Sequence, residues 1–514
     1  MKKYILFYFL FITTKIFAQV PEDALRYSYY PSTGTARNMA IGGVMGSLGG
    51  DITATYVNPA GLGFYKTGEF VLTPGFIMNN NKASYRETSS QSEKSAFNLG
   101  TSGWVLGFNN RYNQHTSNAV SIAFTQTANF NNDIHYTGLN NYSSFSEQFA
   151  EEFAKSGYNI NQVLNTNSPL PYTSAVALYT YLIDTVKVNG TYQVKGAPEY
   201  ILDAGQALRQ EMTKSTSGGI YELAIGFAHN YADKWFFGGT IGIPFTSYTS
   251  NTIFKESDTS ANTNNHFNQF TYTDNFKTTG VGMNLRLGLI YRPQEYIRLG
   301  LALHTPTFNS FTDTHTALLS TQLENPIGSF NVSSTAFTNS QPGESKYDQH
   351  TAWKMIASGS YVFREVSNVK KQRAFISADL EYTTHGSSSF KSNNSSATDE
   401  EKTYYKSLTN AVKNQYKGSI NAKIGGELKF NTLMARLGFA YYGNPYRDQA
   451  LKANRMLLSG GLGYRNKGVF LDLTYVYAMS KDVNFPYHLE DRANTFATLK
   501  NTSGNIIATL GFKF

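Results

Sequence analysis

The chain has 514 residues, and its 44 Lys and Arg against 36 Asp and Glu give a formal net charge of +8. Charged residues make up 16% of the sequence, below the roughly 25% typical of soluble domains, whereas aromatic residues reach 15%. The absence of cysteine excludes disulfides, thiolate metal sites and a catalytic thiol. No apolar stretch reaches the roughly 20 residues of a membrane-spanning helix, yet this composition indicates a chain that meets lipid.

The first residues have the pattern of a secretory signal peptide. Lys2 and Lys3 precede an apolar run over residues 4–12, and Ala18 is followed by the polar Gln19. We therefore predict a signal peptide over residues 1–18 with cleavage after Ala18. Its removal takes away three Lys and no acidic residue, which leaves a net charge of 8 − 3 = +5. That charge is modest and no long basic cluster occurs, so we expect no nucleic-acid partner.

From Glu69 onward the dominant hydrophobic period is two. In residues 433–442, for example, apolar side chains at every odd position alternate with Arg436, Gly438 and Ala440. Such segments are about ten residues long, which suits tilted strands of a membrane barrel. We count 14 candidate strands, centred near Leu72, Trp104, Ile122, Leu223, Phe237, Leu285, Leu301, Met355, Ile376, Ile424, Leu437, Leu458, Leu471 and Leu510.

The links between these strands alternate between short and long. Short links fall near residues 113–116, 231–234, 292–296, 364–371, 431–432 and 465–468, and long polar links fall at 79–94, 135–217, 250–266, 313–349, 391–413, 443–455 and 481–502. An outer-membrane barrel has this asymmetry because one end faces the periplasm and the other faces outside. We therefore predict an all-β fold, a transmembrane antiparallel β-barrel over residues 67–514 with a partly helical insertion at 135–217, in the outer membrane of a Gram-negative bacterium.

Residues 19–66 precede the first strand and do not alternate. Eight glycines fall within residues 34–63, between apolar residues such as Ile41, Val44 and Leu48. Apolar content of this kind argues against a disordered tail. We interpret the segment as a hatch or plug inside the barrel lumen.

The C-terminus ends in an amphipathic strand. Ile506, Leu510, Phe512 and Phe514 lie on one face of it. An open strand edge of this kind can be captured by strand addition. We therefore expect the strand ending at Phe514 to bind the barrel-assembly machinery, and the outer belt to contact outer-membrane lipid and lipopolysaccharide.

Residues 34–64 resemble a known family. They end in the run Val-Asn-Pro-Ala-Gly-Leu-Gly at positions 57–63, and residues 239–244, 288–293, 303–306 and 377–382 carry further matches in order along the chain. This pattern resembles the FadL/TodX family of outer-membrane transporters of long-chain fatty acids and aromatic hydrocarbons. The resemblance implies a 14-stranded barrel with an N-terminal hatch and passive uptake of a hydrophobic ligand. It also implies sideways exit through a gap beside a kink in the third strand, and residues 129–133 could break that strand here.

The candidate ligand-binding or gating residues come from the hatch and from inward-facing strand positions. Two interpretations of the inward charges stay open: they neutralise one another, or one cation holds a ligand carboxylate. We expect no metal and no cofactor. The candidates are Asn58, Pro59, Ala60, Phe236, Arg286, Arg298 and Phe375.

Two functions from different classes fit the sequence. The first is uptake of hydrophobic small molecules, either fatty acids or aromatic hydrocarbons. The second is a FadL-like barrel that binds protein partners through its extracellular loops, for example as a component of a secretion system. Neither a Gly-x-Ser-x-Gly nor a His-Glu-x-x-His motif occurs, so we predict that the chain is not an enzyme. A haem-receptor function has little support because the nine His are scattered.

Overall fold

The structure is a computed structural model that describes residues 21–514 except 111–112, 114, 189, 261, 325, 364–372 and 450. The predicted signal peptide and the first two residues of the predicted hatch lie outside the described residues. So does the predicted short link at 364–371.

Antiparallel strands form one large sheet that closes on itself. In the described part of the chain this sheet has 21 strands, and a separate hairpin adds two more. The strands are β1 (Glu69–Leu72), β2 (Pro74–Tyr85), β3 (Thr88–Leu99), β4 (Ser102–Asn109), β5 (Ser117–Asn129), β6 (Asn132–Asn140), β7 (Ile183–Val188), β8 (Thr191–Gly196), β9 (Leu208–Tyr231), β10 (Trp235–Asp258), β11 (Gln269–Gln294), β12 (Ile297–His304), β13 (Phe308–Gln322), β14 (Ser329–Ser333), β15 (Gly343–His350), β16 (Lys354–Phe363), β17 (Ala374–Thr384), β18 (Ser389–Ser392), β19 (Gly418–Phe430), β20 (Leu433–Tyr442), β21 (Arg455–Asn466), β22 (Val469–Asn484) and β23 (Ala497–Lys513).

Several of these strands share one position in the barrel wall. The pairs β1–β2, β3–β4, β5–β6, β12–β13, β15–β16 and β17–β18 are each one wall strand interrupted by a short break, while β9, β10, β11 and β19 to β23 are continuous. The last strand, β23, pairs with β22 on one side and with β1 and β2 on the other. The described chain therefore forms a closed barrel of 14 wall strands, which confirms the predicted fold class and strand number.

The alternation of side chains follows from the pleat of each strand. In β20, Leu437 is 73% exposed on the outer surface, whereas its neighbour Arg436 is 2% exposed inside. An apolar outer belt with a polar interior is the arrangement that a barrel needs in lipid. Within the described residues, none of the helices combines the length and the hydropathy that a membrane-spanning helix needs.

The two ends of the barrel differ in height. At one end β19 and β20 are joined only by Asn431 and Thr432. At the other end the strands rise well beyond a membrane's thickness, because β10 has 24 residues and β11 has 26. The predicted long link at 79–94 was wrong, since β2 and β3 continue to a tight turn at Arg86 and Glu87, which have φ of 45° and 67°. Polar residues on both faces suggested a loop, but strand segments above the membrane can be polar on both faces.

A cap of helices and loops covers the tall end. The predicted insertion at 135–217 begins and ends as strand, so its non-barrel part is residues 141–207, with the hairpin β7–β8 inside it. Phe145, Phe149 and Phe153 of this insertion join a buried apolar cluster with inward-facing residues of the surrounding strands, such as Phe254 and Phe270. The helices at this end are α4 (Ser146–Ser156), α5 (Ile160–Val163), α6 (Ser174–Tyr179), α7 (Glu199–Asp203) and α8 (Asp399–Gln415), with 3-10 turns at Ser334–Phe337 and His385–Ser387.

The N-terminal segment, residues 21–66, consists of short helices joined by tight turns. It contains α1 (Glu22–Arg26), α2 (Ala36–Ala40), α3 (Ala54–Val57) and a 3-10 helix (Pro59–Phe64). Its apolar residues Ile41, Val44 and Leu48 are at most 2% exposed and pack against inward-facing wall residues such as Ile356 and Phe375. The segment therefore has its core contacts with the inner face of the wall.

Candidate functional site

Asn58 connects three parts of the structure through its side-chain amide. Its Oδ1 accepts a hydrogen bond from the Ala60 backbone N–H at 3.1 Å, which caps the start of the 3-10 helix. Its Nδ2 lies 2.5 Å from the Gly46 carbonyl oxygen, 3.3 Å from that of Leu289 and 3.2 Å from that of Leu301. Asn58 thus joins two turns of the N-terminal segment to the wall strands β11 and β12.

Pro59 and Ala60 lie directly against the backbone of two wall strands. A Cβ atom at Gly238 would be 2.3 Å from the Pro59 carbonyl carbon, and one at Gly288 would be 1.9 Å from Asn58 Oδ1. Gly238 and Gly288 face each other across the β10–β11 ladder. Only glycine leaves room for this close approach, so we call this pair the first glycine seat.

A second glycine seat lies in β19 and β20. Gly425 and Gly438 are paired in the ladder, and a Cβ at either position would come within 2.1 Å of the Ile41–Gly42 backbone. Gly42 itself has a φ of 74°, a conformation that L side chains rarely adopt. The N-terminal segment is therefore bound to the wall at two places by backbone-to-backbone contact.

Phe236 and Arg298 both hold the end of the N-terminal segment. The Phe236 ring stacks on Phe64 with a centroid distance of 4.1 Å and an interplanar angle of 12°. The Arg298 guanidinium lies 4.7 Å from the centroid of the same Phe64 ring and donates to the Leu48 carbonyl oxygen at 2.8 Å. Ala60 completes this small apolar cluster. Both wall residues therefore contact the N-terminal segment.

Arg286 in β11 is neutralised by a carboxylate of β9, which lies on the far side of β10. Its Nη1 and Nη2 donate to Glu222 Oε1 at 2.6 Å and Oε2 at 2.9 Å, a bidentate pair. The guanidinium also lies 5.5 Å from the centroid of Tyr56 in the N-terminal segment. Of the two interpretations of the inward charges, the geometry of Arg286 fits mutual neutralisation.

Phe375 lies outside the first glycine seat but lines the same cavity as Phe236 and Arg298. Its ring is 3% exposed, and the Arg37 guanidinium of the N-terminal segment lies 5.8 Å from its centroid. The structure thus brings Asn58, Pro59, Ala60 and Phe236 together at the first glycine seat. Arg286 and Phe375 contact other parts of the segment.

A cavity of about 430 Å³ lies between residues 22–34 and the wall, and it contains none of the predicted candidates. Its charged residues are two cations, Arg26 and Arg455, and two acids, Glu22 and Asp482, so the lining is balanced. We call it the upper cavity. Sequence reasoning missed it, because its lining combines residues distant along the chain, such as Tyr30, Gln126 and Leu457. Its remaining lining includes Leu25, Tyr29, Tyr30, Met39, Ile77, Asn98, Gly100, Gln126, Thr127, Ala128, Asn129, Phe130, Leu457, Val476 and Ile507.

The wall beside the upper cavity is interrupted between β3 and the strands β5 and β6. Among the described residues β3 pairs only with β2, and β4 pairs with β5 no further than Phe124. β5 carries a bulge between Gln126 and Ala128 and ends at Asn129, and β6 begins at Asn132. This break confirms the expectation that residues 129–133 interrupt the third strand.

Isolated side-chain contacts bridge this unpaired interval. The Leu99 N–H donates to Gln126 Oε1 at 3.3 Å, and Asn129 Nδ2 donates to the Phe97 carbonyl oxygen at 3.4 Å. Further out, Lys94 Nζ forms an ion pair with Asp133 at 2.8 Å. The interval is therefore held by side-chain contacts, with no backbone ladder among the described residues.

The comparisons with known proteins agree with this architecture. No protein-family model matches the chain, and no curated protein matches it by sequence. The Pseudomonas putida toluene transporter TodX matches at a TM-score of 0.53 and 13% identity, over 94% of this chain and 99% of that one. A Pseudomonas aeruginosa FadL homologue matches at 0.52 and 14%, over 94% and 99%, and the Ralstonia pickettii toluene transporter TbuX at 0.50 and 14%, over 95% and 100%. This chain therefore has the FadL/TodX-type barrel fold that its ordered motifs predict.

Proposed function

We propose that this protein is an outer-membrane channel for passive uptake of hydrophobic small molecules, with residues 19–66 as its hatch. The observation that carries this proposal is the upper cavity beside an unpaired interval of the wall. Asn98 and Gly100 line the cavity from one side of that interval, and residues 126–130 line it from the other. A molecule in the cavity is thus next to an interval of the wall that has no backbone ladder within the described chain.

The lining of the upper cavity favours an uncharged ligand. Its two cations are matched by two acids, so it offers no net charge to a carboxylate. Aromatic and aliphatic side chains, such as Tyr30, Phe130 and Leu457, supply the apolar contacts. Two of the structural neighbours are toluene transporters, which supports the choice of an aromatic hydrocarbon as the test ligand.

The hatch closes the route below the upper cavity in this proposal. Its backbone fills the two glycine seats on separate parts of the wall, so a ligand that moves straight along the barrel axis meets packed chain. The sideways route through the interval between β3 and β5 needs only a few side-chain bonds to separate. We infer that ligand leaves the barrel sideways into the membrane, while the hatch stays bound.

A cross-link across the unpaired interval tests this route. The chain has no cysteine, so Phe97→Cys with Asn129→Cys introduces the only two thiols. Joining them with a short bismaleimide should slow uptake of radiolabelled toluene into vesicles severalfold, because the strands can no longer separate.

The matched control places the same linker across a continuous ladder. Ile225 and Ile241 are paired between β9 and β10 and face outward, so Ile225→Cys with Ile241→Cys, cross-linked in the same way, should leave uptake unchanged. Equal uptake in both cross-linked proteins would contradict sideways exit. Uptake no faster than in protein-free vesicles would contradict the transport function itself.

A protein-binding function is the second candidate, and the exposed aromatic residues of the cap favour it. Tyr179 and Tyr181 are 49% and 50% exposed, and Tyr192 of the hairpin β7–β8 is 73% exposed. Aromatic residues are enriched in protein interfaces. Replacing these three tyrosines with Ser and comparing the proteins that co-purify from outer membranes tests this candidate, because a specific partner should be lost while toluene uptake is kept.

A further inference from the structure

A second cavity of about 590 Å³ opens between the hatch and the short-link end of the barrel. Hatch residues 48–50 and 63–66 line it, together with inward-facing wall residues such as Phe236 and Phe375. Among the described residues, none lines both this cavity and the upper cavity. We call it the vestibule.

The vestibule is strongly cationic. Seven basic side chains line it, against the two carboxylates of Asp233 and Glu427, which leaves an excess of 7 − 2 = 5 positive charges. Cations concentrated in a concave site focus the electrostatic field and attract anions. The seven are Arg37, Lys66, Arg292, Arg298, Lys429, Arg465 and Lys513.

Carboxylates just outside the lining do not remove this excess. Glu69 lies 3.2 Å from Lys513, and Asp472 lies 3.9 Å from Arg465. One more cation, Arg436, binds both Glu427 and Asp472 at 2.6 Å. Asp51 of the hatch also interacts electrostatically with Arg37. The enlarged group therefore has eight cations and five carboxylates, and an excess of 8 − 5 = 3 remains.

The excess of positive charge over carboxylates is concentrated at Arg465. Its Nη2 lies 3.9 Å from Asp472 Oδ2, which is beyond hydrogen-bond length, while Arg436 donates to the other oxygen, Asp472 Oδ1. The buried Nε atom of Arg465 has no hydrogen-bond acceptor among the described protein atoms, and the side chain stays 30% exposed. A buried donor without an acceptor is costly, and the exposed part of the same guanidinium side chain is available to an anion in the vestibule.

We propose that the vestibule binds a small anion that carries phosphate or carboxylate groups. The hatch contributes Arg37 and Lys66, and the wall contributes Arg298, Lys429 and Arg465. An anion between these two sets bridges the hatch to the wall from the short-link side. This site differs from the proposed ligand route in place and in charge, and its test does not depend on hydrophobic uptake.

The test measures anion binding to the full mature chain in a neutral detergent. Inorganic phosphate is titrated calorimetrically at constant ionic strength held with NaCl, and citrate is titrated in parallel as the carboxylate probe. Saturable binding of one of them in the wild type is expected. Heat that does not saturate, or that chloride abolishes at equal ionic strength, would overturn the proposal.

Two substitutions that each remove one positive charge distinguish anion binding in the vestibule from the effect of the overall positive charge of the barrel. Arg465→Gln should weaken the binding at least about tenfold, because a hydrogen bond to a charged group is lost. Lys467→Gln removes the same charge two residues away, at a turn residue that does not line the vestibule, and should change the affinity less than about twofold. Equal losses in both variants would overturn the proposal.

Folding of each variant is checked by heat-modifiable gel mobility. If Arg465→Gln does not fold, Lys429→Gln takes its place, because Lys429 also lines the vestibule. A competition arm identifies the source of the anion: phosphatidylglycerol added to the micelles displaces phosphate if a lipid headgroup is the natural ligand. If it leaves phosphate binding unchanged, the natural ligand is a free solute.

Discussion

Gly238 and Gly288 face each other in adjacent wall strands, and the space their missing side chains leave is filled by Asn58 to Ala60. The Pro59–Ala60 backbone approaches Gly238 and the Asn58 side-chain oxygen approaches Gly288, so the contact energy depends on the absence of two Cβ atoms. A methyl group added at either glycine would therefore occupy space that the bound hatch fills.

Gly288→Ala should loosen the hatch while the barrel still assembles. The added Cβ would lie 1.9 Å from Asn58 Oδ1, so the hatch must move, and overpacking of this kind costs about 1–3 kcal/mol. The outer face of β11 is untouched. Proteolysis of residues 21–66 should become faster in the variant, with unchanged gel mobility of the folded barrel.

The control substitution is at Gly239, the residue that follows Gly238 of the first glycine seat. Gly239 faces away from the hatch, and a Cβ there would meet its nearest atoms only at 3.8 Å. Gly239→Ala should therefore keep the wild-type rate of proteolysis. A hatch equally protected in Gly288→Ala and in the wild type would contradict the importance of the glycine seat.

The sequence predicted the barrel better than it predicted the lumen. Alternation placed Leu437 outside and Arg436 inside, because the side-chain period of a strand depends only on the local chain. It could not show that Arg436 in β20 also binds Asp472, since Asp472 lies two strands away in β22. The upper cavity was missed for the same reason, because its lining comes from residues distant in sequence, such as Tyr30, Gln126 and Leu457.

Leu437→Arg should lower the folding stability of the barrel by about 2–4 kcal/mol, because a charge would face the middle of the lipid. Leu437 is the natural position for this test, since its side chain is 73% exposed on the outer surface. Leu437→Met keeps the apolar contact with lipid and should fold like the wild type. Urea titrations of the protein refolded into vesicles measure both, and equal stabilities would show that this face does not meet lipid.

Removal of Phe514 should lower the amount of folded barrel in the outer membrane. Its backbone N–H donates to the Gly68 carbonyl oxygen at 3.0 Å, and its carbonyl oxygen accepts from the Gly68 N–H at 2.9 Å. The last residue thus completes the seam that closes the barrel. Phe514→Tyr keeps the backbone and the ring and should restore the yield, measured as heat-modifiable protein in outer-membrane fractions. Wild-type yield without Phe514 would contradict this role.

Glu256 should make the stability of the cap depend on pH. This residue of β10 is fully buried beneath the cap, where it accepts hydrogen bonds from Ser144 Oγ, from Gln210 Nε2 at 2.6 Å and from the Phe145 N–H at 3.2 Å. Burial nonetheless raises the pKa of the carboxyl to about 7, from its ordinary value of 4.5. The folded cap therefore binds this proton more tightly than the unfolded chain does. Its stabilising effect is complete below pH 4.5 and is lost as the pH rises through 7.

Hydrogen exchange of residues 141–207 at pH 5 and pH 8, corrected for the intrinsic exchange rates, measures this dependence. Protection in the wild type should fall between the two values, and Glu256→Gln, which stays neutral, should reduce the fall. Part of the fall in protection should persist in this variant, because burial also raises the pKa of Glu199 in α7 to about 7. Glu87→Gln removes an exposed carboxylate at the β2–β3 turn and should behave like the wild type. If Glu256→Gln shows the full wild-type fall in protection, the carboxyl of Glu256 does not titrate with the opening of the cap.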